Sequence, residues 1–175
     1  MVTTLLTTHH VGGRAGTRTF PSMKYFEKDL VNVLYEADES SISGIKKETH
    51  YLPSKTIILP DCLSGSAGKR KFYIYNNRYF SSLYPLKPEQ TGAYSFDSQF
   101  GWDTDPKALS IVETLTLDTV TLDEVVKREK SENIPSPDFL SLDTKGSELE
   151  ILKGGEFAIR NTVVAIATEV SFTQI

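Results

Sequence analysis

Short apolar runs separated by longer amphipathic or polar stretches set the rhythm of this chain. Val2–Thr8, Val31–Glu36, Ile57–Leu59, Phe139–Leu142 and Thr162–Thr168 read as strands, the last two as buried ones. The stretches between them are long enough for crossovers. Right-handed crossovers predict one parallel sheet with strand order 3-2-1-4-5. Ser41 to Tyr51 is a polar crossover with a short helix, Lys71 to Tyr75 is an aromatic strand, and Ala108 to Thr121 alternates as a half-exposed strand does. Two helix starts carry capping-box spacing, Thr121 with Glu124 and Ser147 with Glu150. Gly154-Gly155 is placed to stop the second of these helices.

In an open parallel sheet, ligands bind outside the carboxyl ends of the strands. The residues at those ends are therefore the candidate site. His9-His10-Val11-Gly12-Gly13-Arg14-Ala15-Gly16 follows the first strand, and its three glycines let a backbone turn closely around a ligand. The same spacing also suits a glycine-rich turn without a ligand. As a dinucleotide fingerprint it fails at Val11, where the first glycine would stand. Glu36 ends the second strand, and an acid there can accept hydrogen bonds from both ribose hydroxyls; Asp38 is the second choice. Asp61 follows the third strand, where it either lines a pocket or caps a turn. Asp143 stands at the tip of the Phe139–Leu142 strand, just before a turn made possible by Gly146, with Glu148 in the first turn of the next helix. Lys145 is expected to point into solvent, because lysine heads rarely stay dry. His9 and His10 read as a strand-end pair making ordinary hydrogen bonds.

Gly65 to Lys71 is expected to be a basic, solvated turn. From Asn76 to Asp105 periodicity is lost, and Tyr79, Phe80, Tyr84, Tyr94, Phe96, Phe100 and Trp102 are scattered among serine, proline and glycine. Such a segment is either a functional lid or poorly ordered.

Composition narrows the class. The chain has 175 residues, 39% hydrophobic and 24% charged, which suits a single domain over 1–175 with a real core. A net charge of -4 argues against nucleic-acid partners. One cysteine, Cys62, excludes an internal disulfide, and the three histidines share no metal-ligand spacing, so no metal is expected. No apolar run is long enough to span a bilayer and Met1 to Thr8 lacks the pattern of a secretory signal, so a cytoplasmic setting is expected.

Several stretches, taken in order, resemble the FkbM-type family of S-adenosylmethionine-dependent methyltransferases. Leu140 to Gly154 resembles that family's "LKxDxEGxExExLKG", and Thr121-Leu122-Asp123 resembles the "TLD" before it. Val11 to Gly16 with Tyr35-Glu36-Ala37-Asp38 resembles "DVGxxGG" and "FEPD". Phe80-Ser81-Ser82-Leu83 resembles the "SSL" segment, and Ala165 to Phe172 the strand ending in a glutamate. The resemblance implies a Rossmann-like class I methyltransferase fold with a mostly parallel sheet. It implies S-adenosylmethionine as cofactor and O-methylation of a saccharide, lipid or other small hydroxylated acceptor. His10, Gly12, Gly13, Gly16, Glu36 and Asp61 would then face the cofactor, and Asp143 and Glu148 the acceptor, with Asp143 as base. Three departures stand out. His10 replaces the family's acid, Lys145 replaces its glutamate or glutamine, and the chain stops just past the fifth parallel strand, without the usual C-terminal hairpin. The departures leave a second reading open, a binding domain that keeps the fold without turnover.

Overall fold

The computed structural model describes residues 5–12, 21–50, 54–87, 106–128 and 133–170. In chain order these form β1 (Leu6–Val11), a 3-10 segment (Pro21–Asp29), β2 (Leu30–Tyr35), α1 (Glu39–Thr49), β3 (Lys55–Leu59), β4 (Cys62–Leu63) and β5 (Gly68–Tyr75). After 3-10 turns at Arg78–Phe80 and Pro106–Leu109 come β6 (Ile111–Val120), α2 (Leu122–Lys127), β7 (Phe139–Leu142), α3 (Glu148–Gly154), α4 (Glu156–Asn161) and β8 (Ala165–Thr168).

β3, β2, β1, β7 and β8 lie side by side in that order, and every pairing is parallel. This is the expected 3-2-1-4-5 order, and the fold is Rossmann-like. Parallel strands demand cover on both faces. Along β1 and β2, Val11, Val33 and Tyr35 face a core shared with Leu122, Val125 and Val126 of α2, Ile151 of α3 and Ala158 of α4. Residues of opposite parity, such as Thr8, His10, Asn32 and Leu34, point to the other face by the period of two, and they too are buried. A second sheet, β4-β6-β5, stands beside the first, with β5 and β6 antiparallel. Its own small core joins Cys62, Phe72, Ile74 and Leu83.

Four elements differ from the sequence expectation. β1 runs to Val11, so His9 and His10 lie inside the strand and not at its end. Main-chain pairing with β2 and β7 continues through both residues, and each side chain finds a polar partner, which removes the reason to end the strand there. β8 is shorter than expected and largely exposed, because it is the sheet's edge and pairs with β7. Gly68 to Lys71 belong to β5 rather than to a turn, since their main chain pairs with Leu117 to Thr119 and Thr116 of β6. The Ser147–Glu150 capping box is absent: Ser147 makes no cap bond and its hydroxyl donates to Thr144 Oγ1 at 2.8 Å. The Thr121–Glu124 box is present in full.

Gly154 and Gly155 separate α3 from α4 as expected, and close packing adds a second requirement for glycine there. A Cβ on Gly154 would lie 2.6 Å from the Ser64 carbonyl oxygen, a backbone atom that cannot swing aside. Gly154→Ala should therefore cost about 1–3 kcal/mol. At Gly44, in the exposed middle of α1, nothing stands within 4 Å of an added Cβ. Gly44→Ala should stabilise by about 0.5–1 kcal/mol through helix propensity. Urea denaturation of the two variants checks both signs, and equal midpoints would contradict this packing.

Candidate functional site

The carboxyl ends of β1, β2, β3 and β7 meet at one cleft, about 910 Å³ with the open solvent at its mouth included. Gly12, Glu36, Asp61 and Asp143, from the four strand ends, all line it. Cys62, Leu63 and Phe72 of the second sheet, with Leu83, supply an apolar wall. Gly13 and Gly16 lie outside the described residues.

Gly12 has φ +85°, and a Cβ there would sit 2.2 Å from the Asp143 carbonyl oxygen. Its glycine identity is thus enforced first by the approach of the β1 and β7 ends. The Gly12 amide donates to the Tyr35 carbonyl at 3.2 Å and that of Asp143 to the Val11 carbonyl at 3.1 Å, which locks three strand ends together. Glu36 is buried at the tip of β2, where its amide donates to the Leu59 carbonyl and Oε1 accepts the Asp38 amide at 2.9 Å. Asp38 has a different task. It caps α1, accepts from the Ser40 and Ser41 hydroxyls, and pairs with Arg78 at 2.5 Å while its side chain is only 3% exposed. These bonds to the charged form hold its carboxyl below the usual range despite burial. Asp61 pairs with Arg128 at 2.8 Å.

Neither histidine lines the cleft. His9 Nε2 donates to the Pro135 carbonyl at 2.8 Å, which leaves Nδ1 to accept from the Tyr35 hydroxyl at 2.8 Å. His10 Nε2 donates to Thr8 Oγ1 at 3.1 Å, and the Thr8 hydroxyl donates in turn to Asn32 Oδ1. Burial pushes both imidazoles down to about 4, so both are neutral at pH 7. Glu148 is also outside the lining: its two carboxylate oxygens accept the amides of Thr144 and Gly146, at 2.7 and 2.9 Å, and so brace the turn after Asp143.

Within that turn Lys145 takes a left-handed conformation at φ 58°. Its ammonium does not point outward, contrary to the sequence expectation. It bridges Asp143 Oδ1 and Glu169 Oε2, both at 2.6 Å, and is 22% exposed. Two carboxylates on neighbouring strand tips hold it more firmly than water would. Burial pushes the Asp143 carboxyl up, but the Glu169 hydrogen bond and the Lys145 ammonium outweigh it and hold it below the ordinary carboxylate range. Glu169 moves the other way, raised by burial and by Asp143.

The sequence reading assigned no role to Arg78, which lines the cleft with Tyr79 and Ser81. Nothing local marks a lone arginine in an irregular stretch. The serine-rich Ser81-Ser82-Leu83 segment was the available signal, and it does reach the site: the Ser82 hydroxyl donates to the Lys145 carbonyl at 2.9 Å. Arg70, expected in solvent, pairs with Glu150 at 2.5 Å and lies over the Tyr84 ring.

A cleft at the switch point of a Rossmann-like sheet is the place where open α/β domains hold their ligands. The chain belongs to the family described as the methyltransferase FkbM domain, whose model matches residues 10–174. A crystal structure of the methyltransferase FkbM from Methylobacillus flagellatus KT is similar over 93% of this chain at 12% identity, with a TM-score of 0.48. The chain spans about a third, 32%, of that protein's length. Among curated proteins no sequence matches.

Removing the ammonium tests the Lys145 bridge. Lys145→Met should raise the Asp143 carboxyl pKa, because burial then acts with less opposition. Carboxyl NMR titration reads this directly. A depressed folded-state pKa gives stability that is present above the unfolded value of about 3.9 and is lost as pH falls through the folded value. The variant should therefore begin to acid-unfold at higher pH, and an unmoved Asp143 titration would rule the bridge out.

Proposed function

We propose that the cleft binds S-adenosylmethionine and that the domain O-methylates a saccharide, lipid or other small hydroxylated acceptor in a cytoplasmic setting. One observation carries this reading: Gly12, Glu36, Asp61 and Asp143, from four separate strand ends, converge on a single cleft. Its charge supports the same choice. Three carboxylates and one guanidinium line it, and Arg78, Asp61 and Asp143 are held in ion pairs with Asp38, Arg128 and Lys145. With carboxylates outnumbering the guanidinium, the lining suits a cationic sulfonium better than the phosphates of a dinucleotide. Glu36 would accept the ribose hydroxyls, Asp61 would lie near the adenine, and the backbone at Gly12 would approach the methionine end, with His10 supporting β1 from the opposite face.

Bound there, S-adenosylmethionine would supply a methyl carbon whose bond to sulfur is exchanged for one to the acceptor oxygen. Asp143 is the carboxylate placed to orient the acceptor hydroxyl and take its proton. Glu148, holding the amides of Thr144 and Gly146, fixes the loop that presents Asp143. The apolar wall of Leu63, Phe72 and Leu83 would keep water from the reacting centre.

The Lys145 bridge favours a second reading, a domain that binds the cofactor without turnover, since a carboxylate paired at 2.6 Å is a weaker base. Two variants separate these. Glu36→Ala should weaken cofactor affinity by about 1.5–3 kcal/mol in calorimetry, the value of hydrogen bonds to a charged group. Asp143→Asn should keep that affinity and lower turnover by roughly 10²–10⁴-fold. Binding without any Asp143-dependent methyl transfer would select the second reading, and no binding at all would remove both.

A further inference from the structure

The stretch from Asn77 to Tyr84 contributes Arg78, Tyr79, Ser81 and Leu83 to the lining of the cleft and is tied down at both sides. On the β2 side, Arg78 donates to Asp38 Oδ2 at 2.5 Å and to the Ser40 hydroxyl at 2.8 Å. On the β7 side, Ser82 donates to the Lys145 carbonyl, and the Tyr84 hydroxyl donates to Glu150 Oε1 on α3. Behind it, Ser82 exchanges main-chain hydrogen bonds with Tyr73 of β5, at 2.8 and 3.1 Å. At its start the Asn77 side chain accepts the Tyr79 amide at 3.1 Å and sets the 3-10 turn. A segment of irregular backbone tethered at this many points is a built strap.

What the strap presents is Tyr79. Tyr79 lines both the cleft and a hollow beside α1 shared with Ser40, Ser41 and Glu48, and the residue remains 57% exposed. Its ring is therefore not consumed by the apolar core. Glu36 and Ala37 at the end of β2 line the same cleft, and Arg78 beside Tyr79 is anchored to Asp38, the residue that caps α1. An exposed planar ring at the border of a cleft with acidic and apolar lining offers a stacking surface for a base.

We propose that Tyr79 is the platform on which the adenine ring of the cofactor stacks, and that Arg78, through Asp38 and Ser40, is the positioning residue that holds the platform at the border of the cleft. This rests on the reading of the cleft as an S-adenosylmethionine site. Stacking needs the ring and not the hydroxyl, so the two substitutions at this position should behave differently.

The test is isothermal titration of the intact chain with S-adenosylhomocysteine and with adenosine. Tyr79→Ala should weaken both ligands by roughly 5- to 100-fold, the range of one base–aromatic stack. Tyr79→Phe should stay within about twofold of the parent. Arg78→Ala should weaken both ligands while Arg78→Lys, which keeps a cation for Asp38, recovers part of the loss. Thermal unfolding of each variant, followed by circular dichroism, separates lost stacking from lost fold. Tyr79→Ala with parental affinity and parental melting would overturn the platform alone. A parent chain that binds neither ligand would overturn the cofactor reading and the platform with it.

Discussion

The contact between the tips of β1 and β7 is the constraint on which the site depends. Strand order reverses direction between these two strands, so the connections leaving their ends run to opposite sides and leave a crevice. The crevice is held to a defined width by a backbone contact that only glycine permits, with the missing Gly12 Cβ replaced by the Asp143 carbonyl. The amides of Gly12 and Asp143 close the same junction from either side. Position of the candidate base and position of the glycine turn are consequently one variable. A side chain at residue 12 would separate the strand ends and move Asp143 away from Glu36.

The second wall of the cleft comes from chain segments that do not belong to the parallel sheet. β4 and β5, joined through β6, bring Cys62, Leu63 and Phe72 to the opening, and polar ties fasten this unit to the end of β7 and to α3. Glu150 is the main anchor. It accepts from Arg70, Ser64 and Tyr84 at once, and these bonds outweigh burial in keeping its carboxyl low. The neutral thiol of Cys62, pushed up to about 11 by burial, adds apolar character and no charge. An assembly of this kind lets the acidic strand ends and the apolar wall be adjusted independently, because they are carried by different sheets.

Much of this was legible in the chain because it is local. Phe139–Leu142 appears with its expected boundaries, Thr121 and Glu124 form their box, and the strand order follows from crossover spacing. The misread residues share a different property, which is that distant partners decide them. His9 and His10 read as a strand-end pair until Tyr35 and Pro135 are seen to bind the His9 ring, and Thr8, itself bonded to Asn32, the His10 ring. Glu150 has capping-box spacing, but Arg70, 80 residues away, offers a charge-assisted bond that a backbone amide cannot match. Glu148 then takes over the amides of the preceding turn. Lys145 turns inward for the same reason, since Glu169, 24 residues on, doubles the attraction of Asp143.

The Lys145 bridge also bears on what kind of catalyst the cleft can be. A carboxylate held below its ordinary range is a poor proton sink at neutral pH, but it remains fully charged and fixed in direction. Displacement at a sulfonium-bound methyl depends on alignment of three atoms, and orientation alone can supply several kcal/mol of the barrier. On the proposed reading, Lys145 lowers the basicity of Asp143 and in return fixes its place between two strand tips. Glu169, shifted upward by the same coupling, becomes the carboxyl of the pair that binds a proton more readily. On that reading Asp143 orients the acceptor hydroxyl, and Lys145, shared with Glu169, fixes the direction from which it does so.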